Sequence, residues 1–165
     1  AVAMNAGAYG GQISDVLEEA RVAVDGKIIV FPREAMEFGY RTSLPLAQKL
    51  VVAGARFCLH RDDPAAIAAR MADFAQRRRE KQPLSLPSAG SVFKRPEGHF
   101  AGALIEGAGL KGLRVGGAQV SEKHAGFIVN TGGATAADVL ALVETIRARV
   151  REKYGVELEL EIRVV

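Results

Sequence analysis

Apolar and polar positions alternate with two different periods along this chain, and the switch between them outlines its elements. Residues 19–31, EARVAVDGKIIVF, place apolar side chains on either side of Asp25-Gly26, which predicts a β-hairpin closed by a two-residue turn. Pro32 then suits the first turn of a short helix, PREAMEF, that Gly39 ends. Residues 49–60 form a β-like run in which Gly54 predicts a bulge or a close approach. Asp62 or Asp63, followed by Pro64, opens a helix with Ile67, Met71 and Phe74 on one face, running to about Glu80.

Residues 82–100 show little periodicity, which marks a linker or a functional loop and puts a subdomain boundary near Gln82. Beyond it the pattern predicts a short helix over 102–108, a glycine-rich passage through Gly117 and a strand over 125–130. Val139, Leu142, Val143, Ile146 and Val150 then form one stripe of a helix over 135–154 that Gly155 stops. ELELEIRVV alternates as a closing strand, with Leu158, Leu160, Ile162 and Val164 on one face and Glu161 on the other. Helices and strands are mixed without a repeat, so the expected class is α+β.

Composition narrows the function classes. Of the 165 residues 48% are hydrophobic and 25% charged, the mix of a globular protein. No apolar run approaches the roughly 20 residues of a bilayer span, so no membrane partner is expected. AVAMNAGAYGG has no initiator Met and no basic segment of a secretion signal, and it reads as an internal start. A sheet edge there, at residues 1–4, is expected to invite pairing between copies. The net charge is +3, with Arg77, Arg78, Arg79 and Lys81 gathered at a helix end. Such cations suit a solvated helix terminus or an anionic ligand. No aromatic residues interleave with them, which argues against nucleic acid. The single cysteine, Cys58, lies in an apolar run and reads as an inert buried thiol or as the mark of a reducing compartment.

The three histidines, His60, His99 and His124, have no metal-ligand spacing, and no metal is expected. KGLRVGGAQV is rich in glycine, which a tight turn explains as well as a phosphate loop does. Three polar residues have both a chemical and a bland reading. Ser91 in SAGSVF suits the edge of a cavity or a turn hydroxyl, and Arg41 and Glu161 suit either a site or the surface.

Read together and in order, NAGAYGG, FGYRTS, PSAGSVFKRP, GGAQVSEKHAGFIVN, ATAADVL and GVELELEIRV resemble the signature blocks of UDP-N-acetylenolpyruvoylglucosamine reductases over essentially the whole chain. The short interval from Arg41 to Lys81 resembles the shorter subtype. The resemblance implies part of an FAD-binding domain of the vanillyl-alcohol-oxidase type at residues 1–81, then an α+β substrate-binding domain at 82–154. Residues 155–165 would be a closing strand returning to the FAD unit. It implies FAD and NADPH as cofactors, UDP-N-acetylglucosamine enolpyruvate as substrate, and a cytoplasmic location.

By the same resemblance, Ser91, Arg41 and Glu161 match the catalytic serine, arginine and glutamate. Lys81, Phe93, Lys94, Arg95, Gln119 and His124 match or neighbour substrate-binding positions. His124 also has a reading as a buried structural residue, and Arg95 departs from the asparagine common before that proline. Asn5, Ala6, Gly7 and Gly10 match a turn whose glycines let backbone approach the flavin. The family's glycine-rich pyrophosphate loop is not in this chain. Weak or absent FAD binding by the isolated chain is therefore expected, and the alternative function is a UDP-sugar-binding fragment without turnover.

Overall fold

A computed structural model describes residues 1–164. Internal contacts divide the chain into two units, residues 1–70 and the remainder from Met71.

In the first unit a small hairpin, β1 (Gly7–Ala8) and β2 (Gly11–Gln12), turns through Tyr9 and Gly10, both at positive φ. β3 (Leu17–Val24) and β4 (Lys27–Pro32) form the expected hairpin. Asp25 at φ 48° and Gly26 at φ 74° give it the mirror-image turn that matches strand twist. A 3-10 turn over Arg33–Met36 replaces the expected helix, because Glu37 enters the left-handed region and stops the winding after one turn. α1 (Leu44–Ala47) follows, capped by Ser43, and β5 (Val51–Phe57) pairs with β3 to give the order β4-β3-β5. The register slips where Arg21 faces Gly54. A Cβ at Gly54 would meet the Arg21 guanidinium at 2.9 Å, so this glycine marks a close approach. Leu17, Ala20, Val22 and Met36 make the core.

Two expectations fail in this unit. Residues 1–5 form turns rather than a strand: Asn5 N–H donates to the Val2 carbonyl and Ala6 N–H to that of Ala1, both at 3.0 Å. These internal bonds leave no sheet edge at residues 1–4. Cys58 is exposed, not buried, since it lies just past the end of β5 beside the equally exposed Phe57 and Leu59.

α2 (Pro64–Lys81) is capped by Asp63, which accepts from Ala66 N–H at 3.0 Å, and the unit boundary falls within it. None of its residues is buried, and Ile67 and Met71 of the expected apolar face are exposed. The second unit continues with β6 (Ser88–Ser91), α3 (Ala101–Gly107), β7 (Arg114–Val115), β8 (Ala118–Val120), β9 (Phe127–Asn130) and α4 (Ala136–Tyr154). The strands form one antiparallel sheet in the order β6-β9-β8-β7. α4 buries Leu142, Val143, Ile146 and Val150 of the predicted stripe, each contributing about 1.5–3 kcal/mol, while Val139 is partly buried.

The glycine-rich passage is the tight turn of β7 and β8. Gly117 has no room for a side chain, since a Cβ there would lie 2.4 Å from the Ala134 nitrogen. The carboxylate of Asp138 accepts from Thr135 N–H at 2.9 Å while the Thr135 hydroxyl accepts from Asp138 N–H. Backbone and side-chain bonds from Thr135, with a further bond from the Gly117 amide, hold the Asp138 carboxyl below its ordinary 3.8.

The tail is not a regular strand. It makes an isolated bridge, Leu160 to Phe93, and its described backbone bonds run to Val92 and Lys94. Leu158 is buried and Leu160 and Ile162 pack on the core, but Val164 is exposed and breaks the predicted face.

Candidate active site

Ser91 ends β6, and a bulge places it there. Ser88 faces Val129 and Ser91 faces Phe127, so β6 spends three steps where β9 spends two. Gly90, at φ 86°, absorbs the extra residue in a conformation that glycine adopts freely. Ser91 is therefore exposed, while the next two side chains, Val92 and Phe93, are both buried.

Glu161 is brought to the same place by the tail. Val92 N–H donates to the Gly126 carbonyl at 2.9 Å, and the Val92 carbonyl accepts from Glu161 N–H at 2.8 Å. One peptide strand thus carries Ser91 and holds Glu161 beside it. Lys94 N–H donates to the Glu159 carbonyl at 2.8 Å, and the Lys94 ammonium pairs with the exposed Glu159 carboxylate. An exposed pair of this kind contributes little and leaves the cation available to an anionic ligand.

Phe93 is 4% exposed and belongs to the core, so its side chain anchors the loop. Arg95 stacks on Phe100, 3.9 Å from the ring centroid, and its Nε donates to the His99 carbonyl at 3.3 Å. Gln119 donates to the Gly112 carbonyl at 3.2 Å across the β7–β8 hairpin.

His124 is half-buried in a slot made by two glycines. A Cβ at Gly102 or Gly126 would lie 3.2 or 3.0 Å from its ring, and Phe127 meets it edge-on at 5.0 Å. Nδ1 accepts from Gly126 N–H at 3.1 Å, so the neutral ring carries its proton on Nε2. Lys81 is exposed at the end of α2, and Lys123 donates to the Arg79 carbonyl there. Beside β6, Pro87, Ser88, Val92, Ile128 and Asn130 with the start of α4 line a cleft of about 360 Å3.

Arg41 belongs to the first unit, in a tight turn closed by bonds between Gly39 and Thr42 at 3.2 and 3.4 Å. It is half-buried, at φ 55°, and its Nη2 donates to the Gly7 carbonyl at 3.3 Å. The Asn5 carboxamide points inward, bonded to Gly39, Gln12 and Ser14. Ala6, Gly10 and Gly11 are exposed, and a Cβ at Gly10 or Gly11 would meet open space. Such a bare backbone surface fits the close approach of a planar ring. Among the described residues no cluster of histidine, cysteine and carboxylates could hold a metal, and no helix is long and apolar enough to cross a membrane.

Sequence reasoning missed Ser43, which is 1% exposed; its position before Leu-Pro, a common capping pattern, was the available signal. It also missed the bulge, for which Gly90 was the one sign.

Comparison with known proteins completes the picture. The model of the UDP-N-acetylenolpyruvoylglucosamine reductase C-terminal domain matches residues 82–165. The reductase of that name from Syntrophomonas wolfei is 54% identical over all of this chain and 56% of its own length. One from Thermotoga sp. strain RQ2 is 53% identical over 99% of this chain and 55% of its own. The chain thus spans about half the length of these relatives. The crystal structure of the reductase from Thermus caldophilus superposes with a TM-score of 0.86 at 44% identity, over 99% of this chain and 58% of that one. With the family's C-terminal domain matched over half its residues, the chain belongs to the UDP-N-acetylenolpyruvoylglucosamine reductase family.

Proposed function

We propose that the protein carrying this chain reduces UDP-N-acetylglucosamine enolpyruvate to UDP-N-acetylmuramate, using FAD and NADPH, in the synthesis of peptidoglycan precursors. Residues 1–81 then contribute to an FAD-binding domain of the vanillyl-alcohol-oxidase type, and residues from 82 onward bind the UDP-sugar. The supporting observation is the tie of Glu161 to Val92, the residue next to Ser91.

When bound, the flavin supplies hydride to C3 of the enolpyruvyl group, with NADPH as the source of its electrons. Ala6, Gly7 and Gly10 present the backbone that would lie against it. Hydride addition at C3 drives negative charge into the enolate of the substrate carboxylate. Arg41, permanently cationic and able to hold a carboxylate by two bonds, stabilises that charge where it develops. The exposed Ser91 hydroxyl gives its proton to C2; a weak acid serves here because an enolate is a strong base and the geometry is fixed. Glu161, tied through its backbone to Val92, orients the acid. Lys81, Lys94 and Arg95 supply cations for the diphosphate, and Gln119 and His124 add further donors.

Stopped-flow half-reactions on the full-length protein test the reading. Ser91→Ala should leave flavin reduction by NADPH intact and abolish flavin reoxidation by the enolpyruvyl substrate. Equal loss of both half-reactions would count against the acid role.

A further inference from the structure

We infer that Asn5 and Ser43 are positioning residues for Arg41, clamping its turn from either side; the inference rests on the reading of Arg41 as the group that holds the substrate carboxylate. Arginine at φ 55° sits where side chains are rarely found, so its surroundings must impose the conformation. The turn itself is only the four residues closed between Gly39 and Thr42.

The buried polar groups of the first unit supply what the turn lacks. Asn5, Ser14 and Ser43 are the buried polar residues described there; Asn5 and Ser14 share one bond, and Ser43 makes its own bonds to Ala3 and Leu46. Asn5 Nδ2 donates to the Gly39 carbonyl at 3.1 Å, fixing the chain two residues before Arg41. Its Oδ1 accepts from Ser14 N–H at 2.9 Å, and Nδ2 also reaches Gln12 Oε1 at 3.2 Å. The Ser43 hydroxyl donates to the Ala3 carbonyl at 2.7 Å, fixing the chain two residues after Arg41. The same oxygen accepts from Leu46 N–H at 3.4 Å, so the anchor also starts α1.

Buried polar groups are costly unless bonded, and here one Asn5 bond reaches the turn at Gly39 while Ser43, just past the turn, is tied to Ala3. The strand between the two anchors has little choice of path. The Arg41 guanidinium meets the Gly7 carbonyl as a result, and its direction is set before any ligand arrives. Such preorganisation is what a group stabilising developing charge requires. It acts through backbone, so neither Asn5 nor Ser43 needs to touch substrate.

A double-mutant cycle tests the clamp in the full-length protein, with UDP-N-acetylglucosamine enolpyruvate as probe. Asn5→Ser and Ser43→Ala are each placed beside Arg41 and beside Arg41→Ala. With Arg41 present, each should slow flavin reoxidation by about 10- to 100-fold through kcat, the scale of a small misplacement of a reacting group. With Arg41→Ala, each should cost less than about twofold, because there is no guanidinium left to misplace. If Arg41→Ala alone reacts at the parental rate, the reading of Arg41 itself fails. If Arg41→Ala is slow but the two clamp variants cost the same in both backgrounds, the clamp is overturned.

Carbon chemical shifts of Arg41, which report its backbone conformation, give a readout independent of activity. In Ser43→Ala they should leave the left-handed range while the β3–β4 hairpin keeps its resonances. Unchanged Arg41 shifts would overturn the clamp, as the turn would then hold itself.

Discussion

The backbone amide of Glu161 donates to the carbonyl of Val92 at 2.8 Å, and this one bond ties the tail's main chain to the residue that follows Ser91. The bond is made by main chain, so replacing the Glu161 side chain leaves it in place. Glu161→Gln should therefore melt like the parent and retain flavin reduction by NADPH. Reoxidation by substrate should fall on the order of 10²-fold, the usual scale for a group assisting proton transfer. Stopped-flow absorbance in both directions separates the two steps.

Gly90 is the second point of control. At φ 86° an alanine is strained by about 1–2 kcal/mol, although nothing lies within 4 Å of its Cβ. Gly90→Ala should lower the free energy of urea unfolding by that amount and slow the substrate half-reaction beyond what stability alone explains. Denaturant titration alongside the kinetics measures both.

Asp138 makes stability depend on pH. Its carboxyl is held below the ordinary 3.8 by bonds from Thr135 and Gly117, whereas in the unfolded chain it titrates at that ordinary value. Its stabilising contribution is complete above 3.8 and is lost as the pH falls through the lower folded value. Asp138→Ala should melt below the parent at neutral pH, and the gap should close in acid. Thr135→Ala, which removes the cap of α4, should cost about 1 kcal/mol. Thermal melts across pH check both.

Cys58 offers a chemical test of exposure. The native chain should react with a thiol reagent at a rate close to that of the urea-unfolded chain. A thiol that reacts only after unfolding would contradict its placement past the end of β5.

Local signals translated well where the structure needed only local partners. Asp25-Gly26 predicts a hairpin because both residues tolerate positive φ, and the stripe of α4 predicts a buried face because the spacing fits a single helix. Signals that depended on a partner elsewhere translated poorly. ELELEIRVV alternates correctly, but a strand needs a continuous neighbour, and the tail finds only Val92 to Lys94. Ile67 and Met71 share a helical face, yet both are exposed. Phe93 reads as part of a ligand loop because Ser91 and Lys94 flank it. Its burial follows from the bulge, which periodicity does not reveal. Asn5 matches a cofactor turn by position, while its three inward bonds depend on residues up to 34 positions away.

The bulge at Gly90 also bears on how this segment can vary. Alternating strands send neighbouring residues to opposite faces, so adding or removing one residue between Ser88 and Ser91 would turn the serine over. Side chains nearby can drift in size, and the core will adjust. The count of residues between Pro87 and Val92 has no such freedom. Length here, more than identity, is what holds Ser91 on its face of the strand.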